Sequence, residues 1–234
     1  MPADAVPHLI TVRPEVAPRA AVVILHGGKS GSRARVPPWS VALLRMRPFG
    51  RALAAAGGRH GLVVATLRNR YRGWNGAAAD PISDVDWALT RLRASYGMLP
   101  VYLLVHSLGA RAAVRSARHD DVTSVAALAP WIPPGEPVAQ LRGRTLLVAH
   151  GDRDRTTDPK MSRSYAEAAR RAGATVCRFV VAGDGHPMLR RAGDWTDLVR
   201  RFVLGALDLE PVDPQIANAM QSPDGLDIPL TRSR

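Results

Sequence analysis

At 234 residues, with 46% hydrophobic content, the chain is long enough for one globular domain with a sizeable core. Its net charge of +12 rests almost wholly on arginines spread along the chain beside heavy Ala, Gly and Pro use, and no helix-turn-helix, zinc-finger or RNA-binding signature accompanies it, which argues against a nucleic-acid partner. No apolar stretch is long enough to span a bilayer, residues 1–7 carry no signal-peptide pattern, and the single Cys177 cannot form an internal disulfide, so cytoplasmic residence away from membranes is the default expectation.

Read in chain order, an edge-strand candidate at about 7–13 precedes an apolar run at 20–26 and a helical stretch at 41–56. Strand 61–67, helix 82–96, strand 100–105 and helix 109–118 follow. Strand 122–129 then leads through a short connection to strand 144–150. Helix 159–172, strand 175–181 and helix 188–204 complete the series. Alternation of this kind predicts a parallel sheet with helices on both faces, and runs such as Ala-Val-Val-Ile-Leu (21–25) fit strands buried on both sides. Asp80-Pro81 and Asp158-Pro159 each set a capping carboxylate before a proline at a helix start. After Leu209 the sequence is polar and lacks periodicity, so 1–209 is expected to form one domain and 210–234 a flexible or surface-draped tail.

The most informative segment is Val-Tyr-Leu-Leu-Val-His-Ser-Leu-Gly-Ala (101–110). An apolar strand ending at His-Ser-Leu-Gly before a helix has the chemistry of a nucleophile elbow, with Val105 where G-x-S-x-G has its first glycine. On such a turn Ser107 projects from the sheet edge and the Leu108 amide is free for an oxyanion. The competing role for Ser107 is an ordinary helix cap. Two later strands end at loops rich in acid and histidine: His150-Gly151-Asp152-Arg153-Asp154, and Ala182-Gly183-Asp184-Gly185-His186.

With serine, acid and histidine in that order, residues 20 to 203 resemble the α/β-hydrolase superfamily of serine hydrolases. The resemblance implies a three-layer α/β/α fold with a mostly parallel sheet of about six or seven strands. The short 130–143 connection leaves no room for a cap domain. It also implies a Ser107–His186–Asp154 triad. The family pattern H-G-x-x-D selects Asp154; Asp152 is the runner-up, and Asp184 lies beside the base. Leu108 and Gly28, with Lys29 next, would supply oxyanion amides. His26, His106 and His150 also stand at strand ends facing the expected site.

Two more loops are expected to flank it. Arg68-Asn69-Arg70-Tyr71-Arg72-Gly73 resembles the family's D-x-R-G-x-G loop with Arg70 in the aspartate's place, which marks Arg72-Gly73 as structural and leaves Arg68 and Arg70 to clamp a carboxylate or phosphate. Trp39, Trp74 and Trp131 fall on loops at the same edge, where they either line a pocket or pack as ordinary loop residues. Lys29, Trp39, Arg68, Arg70, Trp74, His106 and Trp131 are therefore the expected substrate contacts. The expected activity is hydrolysis of a carboxylic ester or thioester of a small acyl substrate, neutral or anionic, without metal or organic cofactor. An acyltransferase or cyclase using the same triad, and a non-enzymatic binding protein on this fold, are the rival readings.

Overall fold

The computed structural model describes residues 5–222 and 225–232. Its eight strands are β1 (His8–Val12), β2 (Ala20–Leu25), β3 (Leu62–Arg68), β4 (Val101–His106), β5 (Val122–Leu128), β6 (Thr145–Gly151), β7 (Thr175–Val181) and β8 (Ile228–Pro229). They form one sheet in the order β1-β3-β2-β4-β5-β6-β7-β8, parallel throughout except that β1 runs antiparallel along β3. Parallel neighbours need crossovers, and helices supply all of them but the one from β5 to β6: α1 (Val41–Leu44), α2 (Arg47–Gly57), α3 (Asp80–Tyr96), α4 (Gly109–Ser116), α5 (Pro159–Arg171), α6 (Ala192–Ala206) and α7 (Pro214–Gln221).

Two cores result, one on each face of the sheet. Alternate residues of β2 divide between them: Ala21, Val23 and Leu25 pack with α3, α4 and α5, while Ala20, Val22 and Ile24 pack with α2, α6 and α7. Because the central strands β2, β4, β5 and β6 are covered on both sides, their side chains are largely apolar without alternation, whereas the edge strand β1 is mostly exposed. The expected three-layer fold is present, and between β5 and β6 the only regular element is one short 3-10 turn, Ala139–Leu141. Among the described residues no helix is long and apolar enough to cross a membrane.

Three expectations need correction. The stretch 41–56 is two helices, because Pro48 in the first turn of α2 lacks an amide hydrogen and cannot continue α1. Asp158 caps α5 through the Lys160 amide, but Asp80 lies inside α3 and its carboxylate accepts from Asn75 instead. The third concerns the tail. Asp213 accepts from the amides of Gln215 and Ile216 to start α7, and Pro214 follows as the first helical residue. Ile216 and Ala219 then bury against the α6 side of the sheet, and β8 adds an eighth strand beside β7. Buried Arg178 on β7 holds this return, bonding Asp227 at 2.5 Å and the Leu226 carbonyl at 2.8 Å.

Truncating Ile216, which is 1% exposed, to Ala should cost about 2–4 kcal/mol. Urea unfolding of Ile216→Ala reads this directly: an unchanged midpoint would place α7 outside the cooperative unit.

Candidate active site

The parallel strands end at a common edge, and the loops beyond β2, β4, β6 and β7 meet there, where open α/β sheets hold their ligands. Ser107 follows β4 directly with φ +54°. A non-glycine residue in this region costs about 1–3 kcal/mol and persists only where surrounding bonds impose it. Here its amide donates to Leu128, and its carbonyl accepts from Ala110 and Trp131. Gly109 is required at the start of α4, since a Cβ there would lie 2.9 Å from the His26 carbonyl oxygen. Val105, in the place of a glycine, is fully buried in a cluster with Ala110, Ala112, Ala113 and Ala127, whose small side chains leave room for it.

The capping role for Ser107 does not hold: α4 has no side-chain cap. Ser107 Oγ instead lies 2.9 Å from His186 Nε2, and His186 Nδ1 lies 2.8 Å from Asp154 Oδ2. A continuous serine–imidazole–carboxylate chain therefore spans three loops. The Asp154 side chain is fully buried, with Oδ1 accepting from the Thr156 and Thr157 amides and Oδ2 accepting from Thr157 Oγ1 and His150 Nε2. Burial alone would raise its pKa, but the bonds from His150, His186 and the two threonine amides outweigh it and hold the carboxyl well below the usual range.

The neighbouring acids are used elsewhere. Asp152 accepts from the Gly183 amide at 2.7 Å, which fastens one histidine-loop glycine to the acid loop. Asp184 is buried and accepts from Trp195 Nε1 and the Arg191 amide. Gly151 admits no Cβ, because the Asp184 carbonyl oxygen would stand 2.4 Å from it. Thr157 was not among the expected site residues; nothing in its local sequence marks a hydroxyl 2.9 Å from Asp154 and 3.2 Å from His186.

On the β2 loop, His26 Nδ1 donates to the Gly27 carbonyl at 2.6 Å and its Nε2 accepts from the Asn69 amide at 3.2 Å. Burial lowers the His26 pKa, which suits a neutral ring with one donor and one acceptor. Fixing the Gly27 carbonyl turns the Gly28 amide the opposite way, since the two are antiparallel across a trans peptide. Among the described residues the Gly28 and Leu108 amides have no protein acceptor, whereas the Lys29 amide is spent on the Arg72 carbonyl at 2.7 Å. Gly28 is itself confined: a Cβ would meet that Arg72 carbonyl oxygen at 2.4 Å. His106, beside the serine, directs Nε2 to the His186 carbonyl at 3.1 Å and so holds the histidine loop in place. Burial, with smaller effects of the His186 and Arg45 charges, pulls its pKa down to about 3.

A cleft of about 530 Å³ opens over Ser107. Of the expected contacts, Lys29, Trp39 and His106 line it, Trp39 at the rim with 74% of its surface exposed. The other four do not. Arg68 faces a separate cavity between β1 and α2, and Arg70 is bound to Asp84 at 2.5 Å on α3. Trp74 is buried beneath Arg111, whose guanidinium lies 3.9 Å from its ring centre. Trp131 sits 5.4 Å from the same guanidinium, which is anchored by Glu136. Arg45, Arg72 and Thr156, none of them expected as contacts, line the cleft instead. Arg72 also has the structural part expected of it, through its backbone bonds to Lys29 and Ala34.

No protein-family model matches the sequence, and no curated protein does. Solved structures are similar in fold. An alpha-beta serine hydrolase homologue from Coxiella burnetii superposes with a TM-score of 0.62 at 17% identity, over 84% of this chain and 91% of that one. Est1E from Butyrivibrio proteoclasticus gives 0.64 at 13%, covering 86% and 95%. The thermophilic esterase Est2 from Thermogutta terrifontis gives 0.64 at 18%, covering 88% and 92%. With its mostly parallel eight-stranded sheet, its strained serine between β4 and α4 and these neighbours, the chain has the α/β-hydrolase fold.

Proposed function

We propose that the protein is a serine hydrolase that cleaves a carboxylic ester or thioester through an acyl-enzyme on Ser107. The observation that carries this reading is the unbroken contact from Ser107 Oγ to His186 Nε2 at 2.9 Å and from His186 Nδ1 to Asp154 Oδ2 at 2.8 Å. A non-enzymatic protein on this fold has no need of that alignment, nor of a strained serine. Structural neighbours, Est1E solved with ferulic acid and the esterase Est2 solved with propionate and with butyrate, support carboxylic esters as the substrate class.

The chemistry follows from the geometry. His186 Nε2 takes the Ser107 proton as Oγ attacks the acyl carbon, and the imidazolium formed is stabilised by Asp154 across Nδ1. The carbonyl oxygen becomes an oxyanion and accepts from the Gly28 and Leu108 amides. His186 returns the proton to the leaving alcohol or thiol. Water then enters along the same line, gives its proton to His186, and releases the acid. An acyltransferase shares the first half of this sequence, so release of free acid in the absence of an added alcohol or amine separates the two.

Labelling tests the assignment. A fluorophosphonate should modify the wild-type protein at neutral pH, with the adduct located on Ser107 by mass spectrometry. Absence of labelling, or an adduct on another residue, would overturn it.

A further inference from the structure

Three cations converge on the Ser107 cleft, and none of the residues lining it is an aspartate or glutamate. Arg45 comes from the C-terminal end of α1, Lys29 from the β2 loop and Arg72 from the β3 loop. The backbone sets the last two side by side, through the bond from the Lys29 amide to the Arg72 carbonyl and a parallel bridge between Lys29 and Gly73. Asp154, the nearest acid in the catalytic chain, has a fully buried side chain already committed to two histidines and Thr157.

Several arginines elsewhere in the molecule are ion-paired. Arg111 and Arg115 share Glu136 at 2.5 Å each, and Arg191 meets Asp194 at 2.6 Å. By contrast, among the described residues Arg72 has no acidic partner, and its Nε donates to the Arg35 carbonyl at 3.3 Å. Among the described residues neither Arg45 nor Lys29 has a side-chain hydrogen bond or ion pair. Arg45 is also half-buried, and its charge is felt at His106, next to the nucleophile. Withdrawing a guanidinium from water without a counter-charge is unfavourable, and an arriving carboxylate or phosphate relieves it with paired N–H donors.

We propose that the substrate attacked by Ser107 carries a carboxylate or phosphate, and that Arg45, with Lys29 and Arg72, binds it. This rests on the hydrolase reading above and narrows its substrate class. The scattered arginine charge gives no hint of it, because only the folded chain brings these three residues to one cleft whose lining holds no acid.

The test compares kcat/KM within two matched pairs: mono-4-nitrophenyl adipate against 4-nitrophenyl hexanoate, and 3-carboxyphenyl butyrate against phenyl butyrate. The first pair places the anion in the acyl half and the second in the leaving group. The anionic member of at least one pair should be favoured by about tenfold or more. Arg45→Gln should cut that ratio by about fivefold or more, whereas Arg171→Gln, which removes an equal charge from the last turn of α5, should leave it in place. Raising NaCl to about 0.5 M should compress the wild-type ratio without any substitution. Preference for the neutral member in both pairs, or a ratio indifferent to Arg45→Gln and to salt, overturns the proposal. Calorimetric titration of Ser107→Ala with adipate and with inorganic phosphate keeps the two readings apart. Binding that Arg45→Gln removes supports the anion site even if no ester is turned over, and absence of binding counts against it whatever the turnover.

Discussion

Ser107→Ala should lower ester turnover by about 10⁴-fold or more while leaving the fold intact, because it removes one oxygen whose side-chain bond, among the described residues, is to His186 alone. Alanine keeps the Cβ, so the cost of φ +54° is unchanged and little stability is lost. His186→Ala should produce a loss of similar size. The double variant should be hardly worse than either single one, since a nucleophile without its base, or a base without its nucleophile, does no chemistry. Initial rates on 4-nitrophenyl butyrate, with circular dichroism as the control for folding, measure all three. Retention of a tenth of wild-type activity in Ser107→Ala would move the nucleophile elsewhere.

Asp154→Asn should be nearly as damaging, by about 10³- to 10⁴-fold, for a reason specific to its bonding. Oδ1 accepts from two threonine amides, so an amide side chain keeps its oxygen there and turns its NH₂ toward His186 and His150. His186 Nδ1 must then accept rather than donate. The ring proton moves to Nε2, which can no longer take the Ser107 proton. Stability changes too, and its pH dependence has a definite sign. A carboxyl whose pKa is depressed on folding contributes stability that is present above its unfolded value, near 4, and lost as the pH falls toward the folded value. The gap in melting temperature between wild type and Asp154→Asn should therefore be widest near neutral pH and shrink below about pH 4. A gap that stays constant into acid would mean that the Asp154 charge is not what these bonds stabilise.

Much of this was legible in the chain itself. Among the described residues six of the eight strands, β2 to β7, are apolar runs closed by turn residues, β1 is legible only as an edge-strand candidate, and the order of strands and helices leaves few ways to build the sheet. The elbow and the order of serine, acid and histidine are local patterns at strand ends. Asp154 is separated from Asp152 and Asp184 by a family spacing, and the bonds of all three agree with it. The C-terminal return was missed although its start carries the same Asp-Pro signal as α5. What followed that signal was too short and too polar to be read as a helix, and its stability comes from the sheet face it meets.

The substrate side behaves differently. Arg68, Arg70 and Arg72 alternate along one loop and are equivalent as sequence; Asp84 on α3 claims Arg70, the cavity beside α2 receives Arg68, and Arg72 is left at the lining of the Ser107 cleft. Trp74 and Trp131 are likewise drawn under Arg111, while Arg45, in a stretch that reads as plain helix, reaches the cleft because Pro48 breaks that helix beside it. The fold and the chain order of serine, acid and histidine were readable without coordinates, because they follow from backbone periodicity and from glycines at strand ends. Which cations and aromatics line the cleft over Ser107 was set by the packed fold, because a side chain's direction and its partner depend on segments far away in the chain.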